Sequence, residues 1–154
     1  MKQIVYVNYS PGNIAVMDGT DLTLTQVKSQ PVVHWPVDSN AYYTLAMIDP
    51  DAPCRAFPII SQIKHWLVIN IPGADVANGR TLAEYYTPAP PPGSGYHRYV
   101  FLVYKQPALI NTTEPTVTSS SITGRLFFKI RDFARAHNLG EPVAVNYFKA
   151  KFEN

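Results

Sequence analysis

The sequence predicts a mainly β fold, and two features of the chain indicate it. The 154 residues include 14 prolines, nearly twice the usual share of about 5%, and the prolines cluster between segments rich in valine, isoleucine, tyrosine and phenylalanine. Several of these segments are apolar on both faces, which is typical of central strands covered by a layer on each side. Five segments are therefore predicted to be strands: 3–9, 42–48, 65–71, 97–105 and 143–152.

One segment, residues 122–138, has a helical period instead. Its apolar side chains recur at steps of three and four residues, and the basic residues lie mostly on the other side. We expect Ser121 to cap the start of this helix and Gly140 to end it. The pattern predicts a helix that packs on a sheet and turns a basic face to solvent, and a surface for an acidic partner is the alternative. The basic residues are Arg125, Lys129, Arg131 and Arg135.

The composition limits the class of protein. The 13 Lys and Arg against 11 Asp and Glu give a net charge of +2, too small to favour a nucleic-acid partner or a membrane surface. Cys54 is the single cysteine, which excludes an intramolecular disulfide and a thiolate-based zinc site and favours a reducing compartment. No apolar run approaches the roughly 18 residues that a membrane span needs. We therefore expect one cytoplasmic domain, residues 1–154, with no stable membrane insertion.

Two carboxylates follow the predicted strand 42–48. Asp49 and Asp51 are separated only by Pro50, and the proline restricts how far the two side chains can move apart. In one interpretation this is an Asx turn, in which each aspartate accepts a backbone N–H. In the other it is a preorganised acceptor site beside a cavity. The spacing alone leaves both open.

Two histidines stand at the starts of predicted strands, each after an irregular segment. His65 opens 65–71 and His97 opens 97–105, so both side chains can converge at one end of a sheet. The alternation of a strand places Tyr99 on the same face as His97. A single histidine is more often a satisfied structural residue, but together with the aspartates these side chains indicate a pocket.

Three motifs carry a resemblance to a known family: DPDAPCR at 49–55, KHWLVINIPG at 64–73 and PPPGSGYHRYVFLVYKQ at 90–106. Their order and spacing resemble the phosphatidylethanolamine-binding protein family, which includes the Raf kinase inhibitor proteins. The resemblance implies a β-sandwich of largely antiparallel sheets, one principal helix and a small anion pocket at one end. It also implies a cis bond between Ala52 and Pro53. The residues it marks as ligand-binding are Asp49, Asp51, Ala52, His65, Pro90, Pro91, His97 and Tyr99.

The function implied by the resemblance is non-enzymatic. It is the binding of a phosphate-bearing small molecule or a phospholipid headgroup such as phosphoethanolamine, with regulation of a signalling protein such as a kinase. No cofactor or metal is implied. Because carboxylates repel phosphate, the donors must be the histidines, the Tyr99 hydroxyl and free backbone N–H groups near 93–95. We therefore expect anion affinity to rise as the pH falls through about 6.5, where histidine gains its charge.

The alternative function is a metal-dependent or acid/base-dependent hydrolase that uses the cluster of aspartates and histidines. Two histidines and two aspartates can ligate a metal ion. The sequence contains no HExxH, GxSxG or GxxxxGK[ST] motif that would support this alternative.

Two departures from the family pattern concern the pocket. Ile60 and Ile63 stand where animal relatives often carry aromatic side chains, so we expect a reshaped apolar wall. Many relatives continue into a C-terminal helix that partly shields the site. The chain stops soon after PVAVNYFKAKF at 142–152, so we expect this helix to be missing and the mouth to be more open.

Overall fold

The computed structural model describes residues 2–153. It contains ten strands, one α-helix and a short 3-10 turn at Val76–Asn78. The strands are β1 (Gln3–Ile4), β2 (Tyr6–Tyr9), β3 (Ile14–Ala15), β4 (Thr20–Asp21), β5 (Val32–His34), β6 (Tyr42–Asp49), β7 (Ile63–Pro72), β8 (Arg80–Ala83), β9 (His97–Gln106) and β10 (Ala144–Ala150). The helix, α1, is Ile130–Ala136.

The strands form two sheets. The larger one has seven strands in the order β1-β10-β9-β6-β7-β8, with β4 also paired to β10. Its pairs are antiparallel except for β1 and β4, which lie parallel to β10. The smaller sheet is antiparallel with the order β3-β2-β5. The predicted mainly β fold of largely antiparallel sheets is confirmed.

Strand β6 shows why the central strands are apolar on both faces. Leu45 and Met47 belong to the core between the two sheets, which also includes Val7 and Val33 of the smaller sheet. Ala46 and Ile48 point the other way, into a second core that contains Ile130 of α1. A layer therefore covers each face of the large sheet, as the sequence pattern predicts.

The first predicted strand, 3–9, is interrupted at Val5. Residues before it pair with β10 in the large sheet, and residues after it pair with β5 in the small sheet. Val5 is fully buried, and its carbonyl accepts a hydrogen bond from the Asn146 side chain at 2.9 Å. The break is the point at which the chain passes from one sheet to the other.

The predicted helix 122–138 is wrong in extent. The helix α1 has seven residues, and neither Ser121 nor Gly140 caps it, since its flanking residues are Lys129 and His137. Gly124 and Phe127 have positive φ values of 85° and 60°, which a continuous right-handed helix does not allow. Among the described residues, no helix is long and apolar enough to cross a membrane.

The basic face predicted for this segment also needs a correction, because Arg125 is completely buried. Its guanidinium donates only to backbone carbonyls, and no carboxylate of residues 2–153 pairs with it. Three segments of chain provide these carbonyls: the start of β7, the residue after β8, and the loop before residue 122. The acceptors are Lys64 at 3.0 Å, His65 at 3.2 Å, Glu84 at 2.7 Å, Thr118 at 2.9 Å and Ser121 at 2.7 Å.

We expect Arg125→Met to lower the free energy of unfolding by about 4 kcal/mol, because several buried carbonyls would lose their donor at about 1–3 kcal/mol each. Urea denaturation at pH 7 measures this difference. The matched control is Arg135→Met, since Arg135 is exposed and pairs only with exposed Asp132, and it should change stability by less than about 0.5 kcal/mol. Equal effects of the two substitutions would contradict the role assigned to Arg125.

Candidate functional site

The sheet topology gathers the predicted site residues at one end of the large sheet. Strand β6 is antiparallel to both β7 and β9, so its C-terminal end lies beside their N-terminal ends. Asp49 is the last residue of β6, His97 is the first of β9, and His65 is the third of β7. Residues that are far apart in sequence therefore surround one cavity.

This His65/His97 cavity has a volume of about 260 Å³. Seven of the eight residues marked by the resemblance line it, and Asp51 does not. Ile60 and Ile63 are also in the wall, as expected from their position in the sequence. The full lining is Asp49, Ala52, Pro53, Ile60, Ile63, His65, Tyr86, Ala89, Pro90, Pro91, His97, Tyr99, Ile122 and Leu126.

Asp49 orients the His97 ring. The Asp49 carboxylate is 2% exposed, and one oxygen accepts the Asp51 backbone N–H at 2.7 Å, which makes this turn an Asx turn. Its other oxygen lies 2.6 Å from His97 Nδ1. Because a carboxylate accepts only, Nδ1 carries a hydrogen and donates it. The other ring nitrogen of His97, Nε2, lies 2.9 Å from the Ser94 hydroxyl.

His65 is held in one tautomer by a backbone carbonyl. Its Nδ1 donates to the Tyr86 carbonyl at 2.6 Å. Burial lowers the pKa of His65 to about 4, with this hydrogen bond and Asp49 acting in the opposite direction. The ring is therefore neutral at pH 7, and its Nε2 is a hydrogen-bond acceptor. This removes His65 from the charge switch near pH 6.5 that the sequence led us to expect.

The Tyr99 ring stands between the two histidines. It meets the His65 ring edge-on, with centroids 5.3 Å apart, and lies nearly parallel to the His97 ring at 6.3 Å. Burial and the nearby Asp49 raise the pKa of Tyr99 above its usual value, so the hydroxyl keeps its hydrogen. The hydroxyl has no hydrogen-bond partner within residues 2–153, which leaves it available to a ligand.

Asp51 was predicted to line the cavity, but it does not, because its carboxylate is bound by Arg98. The Arg98 backbone N–H and Nε both donate to Oδ2 at 2.9 Å, and a terminal nitrogen donates to Oδ1 at 2.8 Å. Burial raises the pKa of Asp51, but the hydrogen bonds from Arg98 outweigh it and lower the pKa below its usual value. This ion pair ties the loop after β6 to the start of β9.

Several wall residues were not predicted from the sequence. Tyr86 and Ala89 follow β8, while Ile122 and Leu126 come from the segment read as a helix. The spacing of apolar residues in strands and helices does not predict which loops fold over a cavity. The Ala52–Pro53 bond is cis, as the resemblance implies, and Cys54 is half-buried outside the lining.

A second cavity, of about 580 Å³, is lined mainly by residues of β1, β2, β3 and β5. Its wall is mostly apolar, and the paired acid and imidazole groups lie elsewhere. We place the functional site in the smaller His65/His97 cavity because acceptor, donor and oriented imidazole groups converge there. Within residues 2–153, no group of three or more His, Cys, Asp or Glu side chains has a geometry that could hold a metal ion.

Comparison with known families settles the relationship suggested by the motifs. The sequence profile described as phosphatidylethanolamine-binding protein matches residues 12–148. This chain belongs to that family.

Two curated relatives show the range of names within the family. A Drosophila melanogaster protein provisionally named odorant-binding protein A5 is 35% identical over 99% of this chain, which spans 72% of that protein. A 26 kDa secreted antigen of Toxocara canis is 43% identical over 90% of this chain, which spans 53% of that antigen.

Solved structures agree with this assignment to the phosphatidylethanolamine-binding protein family. The solution structure of CG7054 is 44% identical with a TM-score of 0.78, covering 98% of this chain and 86% of that one. The carboxypeptidase Y inhibitor, in complex with its cognate proteinase, is 28% identical with a TM-score of 0.81, covering 97% and 83%. The phosphatidylethanolamine-binding protein from Plasmodium vivax, at 24% identity and a TM-score of 0.82 over 99% and 88%, shares the fold.

The buried neutral His65 predicts a specific pH dependence of stability. Its folded pKa of about 4 lies below the unfolded value near 6.5, so the unfolded chain binds the extra proton between these values. The free energy of unfolding should therefore fall by about 3 kcal/mol as the pH decreases from 6.5 to 4. Urea denaturation at several pH values measures this slope.

The variant His65→Gln removes this titration while retaining an amide N–H for the Tyr86 carbonyl, so its stability should depend less on pH in the same window. The control is His34→Gln, because His34 is exposed on β5, and it should keep the wild-type slope. Parallel pH curves for the wild type and His65→Gln would contradict the expectation.

Proposed function

We propose that this family member is a binding protein whose His65/His97 cavity takes a small phosphate-bearing ligand such as the phosphoethanolamine headgroup. The observation that carries the proposal is the convergence of the Tyr99 hydroxyl, the oriented His97 ring and the neutral His65 ring on one small cavity. Its apolar wall and few oriented polar groups are typical of small-ligand sites. The proposed ligand residues are Asp49, Ala52, His65, Pro90, Pro91, His97 and Tyr99, and we assign Asp51 a positioning role through Arg98.

Arg125 supports the attraction of an anion in spite of the Asp49 carboxylate. Its guanidinium carbon lies 5.0 Å from the centre of the Tyr86 ring, and the Tyr86 ring is part of the cavity wall. The charge is buried and has no carboxylate partner within residues 2–153. A permanent positive charge in such surroundings is screened less than a surface charge, so it offsets part of the repulsion from Asp49.

The protonation state of the site also favours one form of the ligand. Asp49 and the Nε2 atom of His65 are acceptors, so a phosphate oxygen placed beside them is favoured when it carries a hydrogen. The second pKa of a phosphate monoester is about 6, and the monoanion therefore becomes the main species below that pH. This reasoning retains the expected rise in affinity at low pH but assigns it to the ligand rather than to His65.

We further propose that the cavity mouth is a regulatory surface for a protein partner. The structural relative crystallised with its cognate proteinase is a carboxypeptidase Y inhibitor, which supports a partner of the protein class. The kinase predicted from the sequence remains one such partner. The cytoplasmic location also remains a prediction, since a relative is named as a secreted antigen.

Calorimetric titration with O-phosphoethanolamine between pH 8 and 5.5 tests the ligand proposal. Affinity should rise at least about tenfold as the monoanion forms. Inorganic phosphate should follow the same trend, whereas sulfate, which stays a dianion in this range, should not. An equal rise for sulfate would assign the effect to an imidazole, and the absence of any phosphate binding would overturn the proposal.

The substitution Tyr99→Phe tests the geometry of the site. It removes the free hydroxyl while retaining the stacked ring, and we expect O-phosphoethanolamine affinity to fall about tenfold through the loss of one hydrogen bond to a charged group. The control Tyr96→Phe changes an exposed tyrosine outside the cavity and should leave affinity unchanged. Similar affinities for both variants would argue against the proposed pose.

A further inference from the structure

Three side chains beside the cavity mouth form a continuous chain of hydrogen bonds. Ser94 Oγ lies 2.9 Å from His97 Nε2, and His97 Nδ1 lies 2.6 Å from Asp49 Oδ2. A hydroxyl within hydrogen-bond reach of an imidazole that a carboxylate orients is the arrangement of an activated serine nucleophile. The aspartate is itself fixed by the Asp51 backbone N–H. We propose that Ser94, His97 and Asp49 form a nucleophilic relay that reacts with small carboxylic esters.

The positions of the hydrogen atoms along these hydrogen bonds are compatible with activation of Ser94. Asp49 accepts from Nδ1 of His97, so Nε2 of the neutral ring has a free lone pair and can take a proton from the Ser94 hydroxyl. The same hydroxyl also lies 2.7 Å from the Pro91 carbonyl, which is a competing acceptor. A hydroxyl rotates freely between two acceptors, and rotation toward Nε2 prepares Ser94 for attack.

The two residues that flank Ser94 are glycines in open surroundings. Gly93 and Gly95 have φ values of 76° and 78°, a conformation that favours glycine, and apart from the adjacent residues nothing lies within 4 Å of where a Cβ would stand on either one. The backbone on either side of Ser94 is therefore uncrowded. Ser94 itself lies outside the cavity lining, and its hydroxyl contacts two lining residues, Pro91 and His97.

Gly95 also provides a donor for the developing negative charge. Its backbone N–H has no acceptor within residues 2–153, and it belongs to the residue directly after the nucleophile. In serine hydrolases an N–H at this position stabilises the oxyanion of the tetrahedral intermediate. The sequence gives no GxSxG signal here, since Ser94 stands in PPGSGYH.

The reaction proceeds in two balanced steps. Ser94 Oγ attacks the ester carbonyl carbon and passes its proton to His97 Nε2, and the bond to the leaving alcohol breaks as His97 returns that proton to the alcohol oxygen. Water then attacks the acyl-serine, with His97 accepting its proton and returning it to Ser94 Oγ. Asp49 remains ionised throughout. The products are one carboxylic acid and one alcohol for each ester and water consumed.

The cavity limits the class of ester. Its volume of about 260 Å³ lies just below the usual range for small-molecule sites, and its lining includes the apolar residues Ile60, Ile63, Pro90 and Pro91. A short apolar acyl chain therefore fits the space. The relay does not require phosphate binding, although it shares His97 and Asp49 with the proposed ligand site.

A fluorophosphonate probe tests the relay directly, because an activated serine forms a stable phosphonyl ester with loss of fluoride. The folded full chain should gain one adduct, and peptide mass spectrometry should place it on Ser94. Ser94→Ala should lose the adduct, and His97→Gln should form it at least about 100-fold more slowly. The control Ser39→Ala changes an exposed serine outside the cavity lining and should be labelled like the wild type.

Hydrolysis of p-nitrophenyl acetate and p-nitrophenyl decanoate provides the second measurement. We expect turnover of the acetate to exceed that of the decanoate and to disappear in Ser94→Ala. Labelling of heat-unfolded protein at the same rate, or hydrolysis unchanged in Ser94→Ala, would overturn the relay. An unlabelled protein that still binds O-phosphoethanolamine would also overturn it while leaving the ligand proposal intact.

Discussion

Arg125 brings a permanent positive charge into the interior without a carboxylate of the described residues to pair with it. Backbone carbonyls from three separate segments surround the guanidinium instead. Removing a charge from water is costly unless all its donors are satisfied, so these segments can only take positions that satisfy Arg125. The same carbonyls include that of His65, and the same guanidinium lies over the Tyr86 ring. The wall of the cavity is therefore held by one side chain that is not itself part of the lining.

The two aspartates of one short motif have separate tasks. Asp49 points into the cavity and orients the His97 ring, while Asp51 points away and binds Arg98 at the start of β9. The backbone N–H of Asp51 connects them by donating to Asp49. The two aspartates therefore have different roles: Asp49 is an oriented hydrogen-bond acceptor, and Asp51 forms a structural ion pair. This division explains how a carboxylate can stand in a cavity proposed for an anion: Asp49 acts through His97.

Binding and covalent reaction make different demands on the same histidine. A bound anion needs His97 to face the cavity in a defined orientation, and a serine nucleophile needs a lone pair on its Nε2 atom. Asp49 meets both demands because it selects the tautomer and fixes the ring. His65 is oriented in the same way by the Tyr86 carbonyl, but among the described residues no hydroxyl lies within hydrogen-bond distance of its Nε2 atom, so His97 is the histidine that is paired with a serine.

Local patterns in the sequence determined the fold class, the central strands and most of the cavity lining. The strands were predicted from short apolar segments bounded by prolines, which is local information, and the family motifs marked Asp49, His65 and His97 directly. The helix at 122–138 failed because its apolar period continues through Gly124 and Phe127, whose backbones turn the other way. Arg125 was predicted to be a surface residue because it lies on the basic side of that helical pattern. Nothing nearby in the chain indicates that it is buried.

The sequence by itself therefore determined which segments become strands and which motif residues can meet. Only the tertiary structure decided that Arg125 is buried, that Asp51 leaves the cavity for Arg98, and that Tyr86 joins the cavity wall. These outcomes depend on contacts between segments that are close in space but often tens of residues apart in the chain, as with His65 and Arg125. A periodicity of two or four residues carries no information about such contacts.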